Sequence, residues 1–464
     1  MASFCFKISL LLVNYFVMDT LPVLKKNAYL SILIKDNYIY ANLAYTDLSA
    51  QKTYILSDRT DLSPLKFRLD DSVFTKNFWF EYFDSLEKVF DWDIVDREWS
   101  EDFRVKDFER EEMGVSGIKV VVDDNQAFFK NIYFSLKEFS KDIVLRILDD
   151  RYMEVLIKGL VDRLEYDDII WLDLDFSHFS IYRGKNNKEG NVRFSSSKID
   201  WGNEIGLIDF VKSSKLNAFL SIDSSSEEIS NRWANCIAHG YEYITDSLLS
   251  DVIRAFTTLQ ILSVKQSNRK KYERIGKSNT AIILTGKVPN LLQLREGLFC
   301  VIDGLELDGV FDIFIDRDSK LYTFGKSMIE KEESQNIVVL KGDILPKAIK
   351  LLIPEVPSKA KSKIIFSAKI YSQLLEPQEI YSLGSSLEIF KLPQRDEKLL
   401  IEGELKNGTV FSHLPFKQVQ YISSKKILEY EYLVVDGRSR PIVYGPSAHE
   451  NRVKLRIWGN GDKE

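Results

Sequence analysis

The stretch DIIWLDLDFSHFSIYRG, Asp168 to Gly184, constrains the fold more than any other part of the chain. It reads as a hairpin of two apolar strands that carries Asp173 and Asp175, with Ser177 and His178 at its centre. Trp171, Leu172, Leu174, Phe176, Phe179 and Ile181 supply apolar area on both faces, as a strand in the middle of a covered sheet requires. The turn is polar where a phosphate-binding turn would sit, yet it holds no glycine. Glycine lets backbone N–H groups approach a phosphate closely, because it lacks a Cβ and tolerates positive φ. The residues therefore predict a hairpin kept for packing, with the shape of a phosphate loop and not its chemistry.

A chain of 464 residues with 45% hydrophobic and 28% charged side chains is long enough for two or three domains with their own cores. Its net charge of −6 and the lack of any basic stripe beyond Asn268-Arg269-Lys270-Lys271 give no electrostatic reason to expect nucleic acid. That short run reads as a solvated loop. Cys5, Cys236 and Cys300 fit neither a metal spacing nor a disulfide framework, which points to a reducing cytoplasm. His178, His239, His413 and His449 are too scattered for a metal site. The apolar run after Lys7 is too short to span a bilayer, which takes ~20 residues. It reads as a weak signal, a buried strand or sequence upstream of a start at Met18, the last two being favoured together over export, and no membrane span is expected.

Along the chain, AYLSILIKDNYIYANLAY (Ala28 to Tyr45) and KTYILSD (Lys52 to Asp58) predict an antiparallel meander. The acidic and aromatic stretch from Asp61 to Glu112 reads as a helical insertion, and GIKVVVD returns to strand. Ile143 to Leu164 reads as one helical face leading into the hairpin, and Leu249, Val252, Ile253, Phe256 and Leu259 mark a packing helix. TAIILTGKVP, LLQLREGLFCVIDGL and DGVFDIFI then give strand, glycine turn, helix and strand, an α/β signal. From Val338 onward, KIIFSAKIYS, LEIFKL, KLLIEGEL and YEYLVVDG are short strands at regular intervals, which predicts a separate β-rich domain.

The order of these pieces resembles the MutL-type proteins associated with glutamate mutase, a branch of the actin-like ATPase superfamily. The resemblance is carried by WLDLDFSHFSIYRG, SSSEEISNRWANCIAHG, IILTGKVP with the LREGLFCVIDGLELDGVFDIFIDRDSKLYTFGKSM that follows, and YLVVDGRSRPIVYG. It implies an actin-like, ribonuclease H-like α/β fold of two related subdomains with a nucleotide between them. The expected division is an N-terminal apolar segment at 1–26, a first subdomain with the acidic and aromatic insertion at 27–165, a second at 166–343 and the β-rich domain at 344–464. By the same resemblance the first phosphate hairpin falls at Asp36-Asn37-Tyr38-Ile39, the second at Asp173 to Ser180, and the adenosine loop at Thr285-Gly286-Lys287.

The nucleotide-site residues implied are thus Asp36, Asp173, Asp175, Ser177, Thr285 and Gly286, with ATP and Mg²⁺ as the ligand if the cleft is intact. All three loops depart from the family's pattern in losing glycines or small residues, and Tyr38 and Phe179 stand where space for phosphate is needed. No residue is expected to be catalytic. The expectation is a binding or scaffold protein on a degenerate ATPase fold, acting on a protein partner whose identity the residues do not give. The alternative is a nucleotide-dependent, chaperone-like ATPase that services a mutase.

Overall fold

The computed structural model describes residues 28–35, 38–47, 52–61, 75–90, 117–123, 129–139, 143–175, 178–187, 191–200, 216, 219–239, 247–272, 275–276, 279–323, 346–372, 375–393, 398–411, 417–424, 428–438 and 447–459. The N-terminal apolar segment, most of the acidic and aromatic insertion, and the turn residues Asp36 and Ser177 lie outside them. The described residues form two compact units. One runs to Leu156 and takes in residues 318–323; the other comprises 157–317 and the chain from Pro346 onward.

The first unit is built on β1 (Ala28–Lys35), β2 (Tyr38–Asp47) and β3 (Lys52–Asp61), which form the expected antiparallel meander. Helix α1 (Lys76–Phe90), β4 (Gly117–Asp123), α2 (Phe129–Phe139) and β5 (Val144–Leu148) follow. The strand order is β3-β2-β1-β4-β5, with β4 parallel to β1 and β5 parallel to β4. Alternation along the strands sends Leu30, Ile32, Ile34, Val120 and Val122 to one face, where Trp79, Phe83 and Leu86 of α1 and Leu136 of α2 cover them. The Trp79 indole donates to Ser135 Oγ at 2.8 Å, so its one polar atom is satisfied inside the core. The opposite face buries Lys35 and Lys119, whose ammonium groups stand 5.7 Å from the ring centres of Tyr322 and Tyr152 respectively.

The chain leaves this unit within α3 (Asp150–Leu164). The helical face expected over Ile143 to Leu164 is in fact a strand and then a helix. Val144 and Ile147 are β-branched and find a ladder partner in β4, and the Asp149 carboxylate accepts the Tyr152 N–H at 2.8 Å to start the helix.

The second unit opens with the hairpin β6 (Asp168–Leu174) and β7 (His178–Asn186), extended by β8 (Val192–Asp200). Helices α4 (Ser226–His239) and α5 (Ser247–Ser267) follow, then α6 (Arg269–Tyr272), β9 (Thr280–Thr285), α7 (Val288–Leu291), α8 (Leu294–Leu305) and β10 (Gly309–Ile315). The run expected as a solvated loop at Asn268 to Lys271 is mostly α6, held by the buried Tyr272 beside it. Strands β8-β7-β6-β9-β10 repeat the order and sense of β3-β2-β1-β4-β5: two antiparallel pairs, then two parallel ones. Every residue of β6 and of β9 is buried. Among the described residues α5 is the one helix long and apolar enough to cross a bilayer, and most of it is buried in this unit's core.

The C-terminal part differs from the separate domain expected from residue 344. It comprises β11 (Ala348–Ile353), β12 (Ile364–Ser372), β13 (Gln378–Leu383), β14 (Leu387–Lys391), β15 (Lys398–Leu405), β16 (Gln418–Ser424), β17 (Tyr430–Asp436) and helix α9 (Ala448–Gly459). β11 pairs with β10, β17 with β11 and β14 with β17, so the second unit's sheet has eight strands. β13, β12, β15 and β16, in that order, form a sheet of their own. The apolar β10 needs a partner on its free edge, and β11 fills that place.

Candidate functional site

The implied site residues that the structure describes converge at the carboxyl end of β6 and β9. Residues Ile170, Leu172 and Leu174 point into the main core, so the period of two sends Trp171 and Asp173 to the other face. In the parallel pairing of β6 with β9, Asp173 lies beside Thr285. The Trp171 indole donates to Thr285 Oγ1 at 2.9 Å, and the Thr285 hydroxyl points toward Asp173 Oδ1 at 3.4 Å. All three side chains are buried.

Asp175 closes the turn. Its N–H donates to the carbonyl of His178 at 3.2 Å, and its carboxylate faces His178 Nδ1 at 3.6 Å. On its other side stands Lys287, with Nζ 4.0 Å from Asp175 Oδ1 and both side chains almost wholly out of solvent. A lysine buried to this degree needs an anionic neighbour, because an isolated ammonium is costly to desolvate.

Gly286 sets the path of the loop that carries Lys287. It has φ +94°, and a Cβ built on it would lie 2.4 Å from the carbonyl oxygen of Leu174. Here the glycine brings the loop's backbone against the end of β6, which no other residue could do without displacing the chain. Asn290 Nδ2 donates to the carbonyls of Gly286 at 3.2 Å and Arg317 at 3.3 Å, and the Asp316 N–H donates to Leu284 at 2.9 Å. The ends of β6, β9 and β10 are thereby held together.

Asp173, Asp175, Thr285 and Gly286 are thus brought into one place, while Asp36 and Ser177 lie outside the described residues. The partnership of Lys287 with Asp175 is beyond what sequence order alone fixes, although a lysine directly after the loop's glycine is its signal. Two further buried ionic groups belong to the same unit. Asp312 in β10 faces Lys350 in β11, Oδ1 to Nζ 2.6 Å, and accepts from the Tyr166 hydroxyl at 2.8 Å. Arg438 binds Asp436 and Asp303 at 2.8 Å each and lies over the ring of Phe299.

Two α/β units on one repeated strand order, each a meander followed by parallel strands, make this an actin-like fold, whose sheet is of the ribonuclease H type. No protein-family model matches the chain, and no curated protein matches its sequence. Solved structures with some likeness include the Ppx/GppA phosphatase of Aquifex aeolicus, 13% identical, with 55% of this chain and 67% of that one covered and a TM-score of 0.30. The ethanolamine utilization protein EutJ from Carboxydothermus hydrogenoformans is 10% identical over 65% of this chain and 90% of its own, TM-score 0.31. A Bacteroides thetaiotaomicron protein with an actin-like ATPase fold is 11% identical over 63% and 91%, TM-score 0.29. The fold is read from the strand orders and not from these likenesses.

Proposed function

We propose that this chain is a binding or scaffold protein on an actin-like ATPase fold whose nucleotide site is degenerate. The observation that carries the reading is the internal pairing at the carboxyl end of β6. A magnesium nucleotide needs carboxylate oxygens open to the ion or its waters, and backbone N–H groups open to phosphate. Asp175 instead faces Lys287 and His178, and Thr285 serves Trp171 and Asp173. Gly286 is closed against the backbone of Leu174, so the freedom that a phosphate would use goes to packing. The residues present do not fit a magnesium nucleotide. Among the described residues, no group of three or more His, Cys, Asp or Glu stands so as to hold a metal ion.

On this reading the chain acts through a protein partner in the cytoplasm, and kinship with the MutL-type branch belongs to the proposal. A thermal-shift titration with Mg·ATP and Mg·ADP tests it. An intact site at a ligand concentration ~100 times Kd would add about 2.7 kcal/mol of stability. No saturable shift is expected. A saturable shift that disappears in Asp173→Ala would replace this reading with the ATPase alternative.

A further inference from the structure

We propose that the outward face of the small sheet β13-β12-β15-β16 is a binding groove for a short, uncharged oligosaccharide. None of its residues belongs to the site at the ends of β6 and β9. Alternation along β12 and β15 buries Phe366, Ala368 and Ile370 with Leu399, Ile401 and Leu405 on one face. The opposite face forms a groove of about 550 Å³, within the ~300–1,000 Å³ of small-ligand sites. Register sets four hydrogen-bonding side chains in one row across its middle, since Glu379, Lys369, Glu402 and Gln420 lie opposite one another on the four strands. Lys369 Nζ stands 2.8 Å from Glu379 Oε1, and Gln420 Nε2 donates to Glu402 Oε1 at 2.9 Å, so the row is ordered in pairs. A tyrosine flanks the row on either side. Tyr381 is opposite Ser367, and Tyr371 lies four residues further along β12, about 13 Å away at ~3.3 Å per residue. Tyr381 is 48% exposed, yet its hydroxyl donates to Glu379, which fixes the ring. Tyr371 shares its row with Leu400 and Ile422.

The lining decides the occupant. The carboxylates of Glu379, Glu402 and Glu404 exceed the ammonium groups of Lys369 and Lys406 by one negative charge, too little to hold a polycation and of the wrong sign for phosphate. An added peptide strand gains most from free backbone groups, but β12 and β15 are paired on both sides, so a peptide lying on this face would meet side chains only. A lipid chain would leave the polar row beneath it without partners. The fitting ligand is neutral, with an apolar ring face for each tyrosine and hydroxyls that can both donate to carboxylate and amide oxygens and accept from amide and ammonium groups. A short run of sugar rings has both.

The test titrates the full chain with maltotetraose, cellotetraose, mannotetraose and chitotetraose by isothermal titration calorimetry. At least one is expected to bind saturably with Kd below ~1 mM. Tyr381→Ala and Tyr371→Ala, each checked for an unchanged circular dichroism spectrum, are expected to weaken that binding at least about tenfold. Tyr381→Phe keeps the ring and is expected to weaken it less than Tyr381→Ala does. Should an alanine variant at either tyrosine fail to fold, Glu402→Ala reads the same groove from an exposed position and is expected to lose binding too. Binding to none of the four sugars overturns the proposal, as does sugar binding that a folded Tyr381→Ala, Tyr371→Ala or Glu402→Ala leaves at full strength. Saturable binding of oligolysine or oligothymidylate that Tyr381→Ala abolishes, with no sugar bound, overturns it in favour of a charged polymer.

Discussion

Cys300 shows how a single buried group writes itself into the chain's response to pH. Its thiol lies in the core beside α5, and burial, the largest cause, pushes its pKa up to about 12. In the unfolded chain a cysteine titrates near ~8.5. Between those values the folded state holds a proton that the unfolded state has lost, so stability falls as pH rises through this window. Burial also raises Tyr166 and Tyr430 above the usual phenol range, with Asp312 adding to both, and they act in the same alkaline direction. Urea midpoints are expected to fall steadily from pH 8.5 to 11, less steeply in Cys300→Ala. Native protein at pH 8 is expected to leave Cys300 unreacted with a thiol reagent that labels it at once in denaturant.

At the scale of elements, what could be read in the residues was what local period and turn chemistry determine. The two meanders, β9 and β10 with α8 between them, and α5 all announce themselves in alternation or helical spacing. Pairings far apart in sequence did not. β11 and β17 look like members of a small β domain because a short apolar strand carries no mark of which edge it will join. Asp312 in GVFDIFI and Lys350 in AIKLLI were the available clue, each a lone charge in an apolar strand, and they meet across the β10–β11 ladder. At the candidate site, Asp173, Asp175, Thr285 and Gly286 were legible as a group, whereas the contact between Lys287 and Asp175 depends on how the loop folds back onto β6. The β10–β11 pair makes a prediction about register. Lys350→Met removes the cation paired with the Asp312 carboxylate and leaves it, among the described residues, facing phenols, and breaking a buried pair in this way costs about 3–5 kcal/mol. Adding Asp312→Leu should recover much of that loss, measured by chemical denaturation. Equal loss in single and double variants would show that the ladder does not depend on this pair.

For the whole molecule, the eight-stranded sheet decides which truncations survive. A chain ending at residue 345 loses β11, β17 and β14 together, and leaves β10 with a long apolar edge unpaired. Such an edge invites pairing between molecules, so this truncation is expected to aggregate, judged by light scattering beside the full chain. A monodisperse product would mean that residues up to 345 close their own sheet. The path of β14 has a different kind of consequence. It lies between β13 and β15 in the chain, yet it belongs to the large sheet while both of them belong to the small one. The backbone therefore leaves the small sheet, lays down an edge strand elsewhere and returns. A splice from Ile353 to Tyr430 would remove β14 along with the small sheet, so the small sheet is no cassette to be lost or exchanged between relatives in one event. Recombination can lengthen its loops, but inheritance has to carry the two sheets' strands as one stitched piece.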